Sequence, residues 1–170
     1  MTDKEATTAK LYQAFQKASG VTTDSRQVKP GQIFFALKGE HFDGNAYADQ
    51  ALVKGASLVV VDDPDLSGRE HHFFVDDSLV ALQSLARHHR KQLSATFIGI
   101  TGSNGKTTTK ELFHRVLSKK FKTAATAGNL NNHIGVPLTI LSLPANTEMA
   151  IIEMGANHQG EIDFLCRIAK

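Results

Sequence analysis

The sequence predicts an α/β protein in two parts: a small N-terminal α/β domain over 1–92, and over 93–170 a parallel-sheet unit built around a phosphate loop. Three observations carry this reading. Short apolar or β-branched runs alternate with segments of helical period, and such alternation implies parallel strands joined by helical crossovers. A strand, a glycine-rich turn and an amphipathic helix follow one another from Phe97 to Leu117, the context a phosphate loop requires. The basic run Arg87-His88-His89-Arg90-Lys91 and the polar stretch to Ser94 place a junction near residue 92.

Taken in order, Leu11, Tyr12, Phe15 and Ala18 recur at helical spacing and Gly20 follows as a stop, which predicts a first helix. Pro30-Gly31 introduces the apolar run Ile33 to Leu37, and Gly55 introduces Leu58 to Val61; both read as strands, with a helix from Asn45 to Lys54 between them. Phe73 to Val75 is a third strand. Asp76-Asp77-Ser78 caps a helix whose Leu79, Leu82, Leu85 and Ala86 share a face. The second part reads strand (Phe97 to Ile100), turn, helix (Lys106 to Ser118), strand (Ala124 to Thr126), polar loop, short helix from Val136, strand (Met149 to Ile152) and a final helix from Gln159.

Composition narrows the function. The 170 residues are 41% apolar and 21% charged, the balance of a globular chain rather than a disordered one. A net charge of +2 is too small for the basic stripe that nucleic acid demands. Cys166 is the only cysteine, which excludes an intrachain disulfide and a multi-thiolate zinc site and suits a reducing compartment. No run reaches the roughly 18 apolar residues of a membrane span, and Met1 to Lys17 lacks a signal-peptide core, so a cytoplasmic location is expected.

The chemistry concentrates in Thr101-Gly102-Ser103-Asn104-Gly105-Lys106-Thr107-Thr108. Glycines let backbone N–H groups turn toward a phosphate, and the helix N-terminus adds about half a positive charge. Lys106 reaches the outer phosphates and Thr107 offers a hydroxyl to Mg²⁺. Lys110 lies about one turn further along the helix and is expected to matter much less. The usual Gly-x-x-x-x-Gly-Lys-Ser/Thr spacing would need glycine where Ile100 stands; the pair here is Gly102-x-x-Gly105. Glu153 ends the Met149 strand, and in a parallel sheet its carboxyl end shares an edge with the loop, so a hard oxygen ligand meets the same Mg²⁺.

The loop resembles that of the Mur ligase superfamily, whose members form amide bonds with ATP in bacterial cell-wall synthesis, together with their folylpolyglutamate synthase relatives. Gly128-Asn129-Leu130-Asn131-Asn132-His133-Ile134-Gly135-Val136-Pro137-Leu138-Thr139 and Glu153-Met154-Gly155-Ala156-Asn157-His158-Gln159-Gly160-Glu161-Ile162 resemble one branch of it. That resemblance implies addition of D-Ala-D-Ala to UDP-N-acetylmuramoyl tripeptide through an acyl phosphate, with ATP and Mg²⁺ as cofactors. It makes Lys106 and Glu153 catalytic, assigns Gly102 to Thr108 and Asn129 to the nucleotide, and assigns Thr107 and Glu153 to the metal.

Asp24-Ser25-Arg26, Phe34 to Gly39, Phe42-Asp43-Gly44 and Gly55-Ala56 are similar to the superfamily's UDP-substrate-binding domain. On that likeness Ser25, Arg26, Lys38, Gly39 and Asp43 hold the UDP-sugar peptide, joined from the second part by Asn132, His133 and His158. The resemblance covers about residues 21 to 165. It implies that the rest of the central domain and a C-terminal ligase domain lie beyond this chain, which is then an N-terminal portion, inactive alone.

Rival readings are the sister ligase that adds the third amino acid, and a non-catalytic UDP-sugar or nucleotide-binding module. A nucleotide switch lacks a guanine-recognition motif in this sequence. The pairs His71-His72 and His88-His89 are expected on the solvated surface, because sequence neighbours face different ways. Cys166 is expected to be buried beside Ile162 and Leu165.

Overall fold

The first helix, α1 (Asp3–Phe15), leads into a four-stranded sheet of β1 (Val21–Thr22), β2 (Ile33–Phe35), β5 (Leu58–Val61) and β6 (His72–Phe74), all parallel and in the order β1-β2-β5-β6. Between β2 and β5 come an antiparallel hairpin of β3 (Lys38–Gly39) and β4 (Phe42–Asp43), a 3-10 turn (Gly44–Tyr47) and α2 (Ala48–Val53). A helix α3 (Ser78–Arg90) follows β6. The computed structural model describes residues 3–170, which divide into two compact units, one ending at Leu85 and the other beginning at Ala86. The division therefore falls inside α3, upstream of the junction expected near residue 92.

The two central strands explain why the runs are continuously apolar. Ile33, Phe34, Phe35, Val59, Val60 and Val61 are all fully buried, as strands covered on both faces must be. Ala48 and Ala51 of α2 pack onto Phe34, Val59 and Val61. The expected strand Ile33 to Leu37 stops at Phe35, although Ala36 still donates to the Val60 carbonyl at 2.9 Å. The chain then turns back, with Gly44 N–H donating to the Leu37 carbonyl at 2.9 Å. The helix expected from Asn45 begins instead with the 3-10 turn, because Asp43 Oδ1 accepts from Asn45 N–H at 2.9 Å and caps it.

Asp62, just beyond β5, ties this unit together. Its Oδ1 accepts from Asn45 Nδ2 at 2.8 Å and lies 2.9 Å from Lys38 Nζ, and its Oδ2 accepts from Ser78 N–H at 3.1 Å. Burial pushes its pKa up, but bonds from Asn45, Lys38 and Ser78 outweigh that and hold it below the usual aspartate value. Since the folded-state value is the lower one, the stabilisation is present above the unfolded value of about 3.9 and is lost as pH falls through the folded value. Asp62→Asn should lower stability at pH 7, and its gap from the parent should narrow as pH falls below the usual aspartate value. Urea unfolding across that range checks this; a gap independent of pH contradicts it.

The second unit contains β7 (Thr96–Ile100), α4 (Lys106–Leu117), β8 (Thr123–Ala125), α5 (Gly135–Leu141), β9 (Met149–Glu153) and α6 (Glu161–Ala169). Its sheet is parallel in the order β7-β9-β8. α4 packs on β8 and β9, while α6 packs on β7 and α5. Ile100, the last residue of β7, pairs with Glu153, the last of β9.

Three expectations fail here. Leu112, Phe113 and Val116 are exposed, so α4 does not turn its most apolar stripe inward; Lys110 is buried instead, and His114 reaches toward the Thr123 carbonyl at 3.3 Å. Cys166 is exposed, because Leu165, Ile168 and Ala169 form the buried face of α6, although its Sγ still lies 3.7 Å from Met154 Sδ. The His72 side chain is only 3% exposed, with Nε2 3.5 Å from Asp49 Oδ1, so it is not solvated. Among the described residues, no helix is long and apolar enough to cross a membrane.

Candidate functional site

In the second unit, β7 delivers the chain into a loop that closes on α4. Gly102 (φ 149°) and Gly105 (φ 77°) adopt positive φ, which glycine enters without the steric penalty of a Cβ. Gly105 is the N-cap of α4 and supplies no side chain, so the first-turn N–H groups face outward, as an anion requires. Lys106 Nζ donates to the Gly102 carbonyl at 2.7 Å and approaches that of Ser103 at 3.5 Å. Ser103, Asn104, Thr107 and Thr108 are exposed on the loop and first turn.

Lys106 forms one wall of a cleft of about 380 Å³ whose other side includes Asn131, Asn132, His133, Asn157 and His158. Glu161 shapes that side: its Oε2 accepts from the N–H groups of Asn157 at 2.6 Å and His158 at 3.0 Å. The bonds from His158 and Asn157 hold its pKa below the usual glutamate value. Asn132 Oδ1 accepts from Ile134 N–H at 3.1 Å and Gly135 N–H at 2.8 Å, so this expected substrate ligand also caps α5. Asn129 lies in the exposed turn after β8 and is not part of the cleft wall.

Glu153 is 2% exposed. Its Oε1 accepts from Asn131 Nδ2 at 2.9 Å and its backbone N–H donates to Thr126 Oγ1 at 2.9 Å. Its Oε2 is buried with no hydrogen-bond partner, 3.8 Å from Lys110 Nζ. An unpartnered buried carboxylate oxygen is costly, and a hard oxygen at the loop's edge of the sheet fits Mg²⁺. Among the described residues there is no cluster of three or more His, Cys, Asp or Glu, so any cation there would take its remaining ligands from hydroxyls, phosphates or water.

The first unit has its own cleft, formed by Asp24, Ser25, Arg26, Phe42, Tyr47 and Gln50 among others. Arg26 is pinned by Asp24 through Nε to Oδ1 at 2.9 Å and Nη2 to Oδ2 at 2.8 Å, and that guanidinium holds the Asp24 carboxyl far below the usual range. Phe42 and Tyr47 are exposed and stacked, with centroids 5.6 Å apart and planes 15° from parallel. Of the five residues expected here, Ser25 and Arg26 meet in this cleft. Lys38, Gly39 and Asp43 belong to the adjoining hairpin, with Lys38 paired to Asp62 and Asp43 capping the 3-10 turn.

Sequence reasoning missed Asn131, Thr126, Lys110 and the Phe42–Tyr47 pair. Asn131 and Phe42 lie within the quoted motifs, but nothing in the spacing of Lys110 marks it.

The Mur ligase middle domain matches residues 100–170, and the catalytic domain of the Mur ligase family matches residues 17–90. The UDP-N-acetylmuramoyl-tripeptide–D-alanyl-D-alanine ligase of Bacillus subtilis is 48% identical over 152 residues, covering 88% of this chain and 33% of the relative. The Escherichia coli enzyme of that name is 48% identical over 150 residues with the same coverage. A crystal structure of MurF from Acinetobacter baumannii superposes with a TM-score of 0.85 at 37% identity, covering 95% of this chain and 38% of that one. MurF ligase from Thermotoga maritima in complex with ADP gives 0.80 at 34% identity, covering 99% and 36%. The chain spans about a third of the length of the curated relatives it matches.

Proposed function

Because the chain belongs to the Mur ligase family, we propose that it supplies the UDP-substrate-binding domain, over about 1–92, and the start of the ATP-binding domain, over about 93–170, of a cytoplasmic ligase. That ligase joins D-Ala-D-Ala to UDP-N-acetylmuramoyl tripeptide in peptidoglycan precursor synthesis. The observation that carries this reading is the convergence of the Lys106 loop and the unpartnered Glu153 Oε2 on one edge of a parallel sheet.

In the reaction, the tripeptide's terminal carboxylate attacks the γ-phosphorus of ATP, the bond to ADP breaks, and an acyl phosphate forms. The amine of D-Ala-D-Ala then attacks the acyl carbon, phosphate departs, and the amine's proton is lost to solvent or a base. Lys106 places a positive charge on the transferring phosphoryl, and the loop's N–H groups orient the chain of phosphates. Thr107 and Glu153 would hold Mg²⁺, which when bound neutralises phosphate charge. His133 and His158, with Asn132, line the side of the cleft where the peptide would enter.

In the first unit, Ser25 and Arg26 serve the diphosphate, and the Phe42–Tyr47 pair offers a face for the uracil ring. Lys38, Gly39 and Asp43 keep the hairpin that presents Phe42 in place. Base–aromatic stacking is worth about 1–3 kcal/mol by alanine substitution, so Phe42→Ala should raise the KM for the UDP substrate roughly tenfold and leave kcat nearly unchanged. Steady-state kinetics with varied UDP substrate checks this.

The function itself is tested on a protein of the relatives' length that contains this chain, given ATP, Mg²⁺, UDP-N-acetylmuramoyl tripeptide and D-Ala-D-Ala. Pentapeptide, ADP and phosphate in equal amounts are expected. Activity confined to UDP-N-acetylmuramoyl dipeptide and a single amino acid would overturn the assignment.

A further inference from the structure

Lys110 is the one buried lysine among the described residues, 1% exposed and on the inward face of α4. Its ammonium donates to the Thr126 carbonyl at 2.7 Å and lies 3.3 Å from Glu111 Oε1 and 3.8 Å from Glu153 Oε2. Like Glu153, it is buried and does not form part of the cleft wall. Burying an ammonium without partners costs several kcal/mol, and the apolar residues Leu112, Phe113 and Val116 of the same helix stay outside. That preference for a charge over three available apolar side chains needs a local cause.

Glu153 supplies it. Three groups converge on this residue from separate parts of the second unit: Asn131 holds Oε1, Thr126 Oγ1 receives the backbone N–H, and Lys110 Nζ lies 3.8 Å from Oε2. The same Thr126 that receives the Glu153 N–H gives its carbonyl to Lys110, so the end of β8, the end of β9 and α4 are bound through one residue. At 3.8 Å Lys110 is beyond hydrogen-bond range of Oε2, yet close enough to offset its charge. Oε2 thus makes no hydrogen bond and has a buried positive charge 3.8 Å away.

We propose that Lys110 is a positioning residue for the nucleotide-associated divalent cation: it fixes Glu153 so that Oε2 is presented to the cation, and makes no contact with nucleotide or cation itself. This rests on the ligase reading above for the presence of the cation. Lys110→Met keeps the aliphatic length and removes the charge.

The readout is Mn²⁺ binding, followed by electron paramagnetic resonance on a protein of the relatives' length in the presence of ADP, alongside thermal unfolding. Lys110→Met should weaken Mn²⁺ binding at least tenfold while ADP affinity measured without metal changes less than threefold. In a Glu153→Gln background the same substitution should change Mn²⁺ binding by less than twofold, since the two act as one unit. A purely structural role would lower the melting temperature without this metal-specific, Glu153-dependent loss. If the parent binds no Mn²⁺, the ligase reading fails. If the parent binds it and Lys110→Met binds equally well, or loses affinity equally in both backgrounds, only the positioning role fails. Should Lys110→Met not fold, Lys110→Arg, which keeps the charge but displaces it, is measured in the same way: Mn²⁺ binding weakened with ADP affinity retained supports the role, and unchanged Mn²⁺ binding overturns it.

Discussion

Lys106→Ala is expected to lower the turnover of the ligase by about 10²- to 10³-fold, the loss that follows removal of one donor aimed at developing charge. Lys106 opens α4 and lines the cleft, with its ammonium on the carbonyls of Gly102 and Ser103. Those bonds are made from a partly exposed position, so the substitution leaves no buried orphan and should shift the melting temperature little. The combination sought is a collapse of kcat with stability retained, read by initial-rate phosphate release and thermal unfolding on the same preparation. Turnover within tenfold of the parent would mean that the loop does not serve the transferring phosphoryl. Lys110, about one turn further along α4, is still expected to matter less for turnover.

Gly135→Ala should have the largest effect on stability. A Cβ at Gly135 would lie 2.4 Å from the Leu130 carbonyl carbon, 2.5 Å from its Cα and 2.7 Å from its oxygen. All three atoms are backbone, so no rotamer change relieves the contact. α5 cannot back away either, because Val136 and Ile140 are fully buried in the core of the second unit. Overpacking of this kind costs typically about 1–3 kcal/mol and more where backbone must move, which for a domain of this size corresponds to a fall of roughly 10 °C or more.

Displacement of Leu130 would also carry Asn131 away from Glu153 Oε1, so residual activity should fall with stability. Gly99→Ala is the control, since a Cβ there meets only the Met154 side chain, Cε at 3.6 Å and Sδ at 3.8 Å, both ordinary contacts. Thermal unfolding followed by circular dichroism should separate the two variants clearly; equal melting temperatures would refute the packing described for Leu130.

By itself the sequence determined the alternation of strands and helices, the parallel pairing, the glycine turn that makes Lys106 the first residue of α4, and the placement of Glu153 at the edge reached by that turn. These are local or topological matters. Glycine at positive φ, a run of buried β-branched residues and a right-handed crossover are each specified within a few tens of residues.

Only the tertiary structure decided which side of α4 faces the sheet, and hence that Lys110 is buried and Val116 is not. A helix's rotation is set by its anchor at the phosphate turn and by what waits beneath it, here Thr126 and Glu153, which lie 16 and more residues away. For the same reason the Lys38–Asp62 ion pair could not be read from the sequence, and Phe42 and Tyr47 gave no sign of stacking until the hairpin folded. Charge partners and ring pairs depend on contacts between elements, and these come from packing rather than from spacing along the chain.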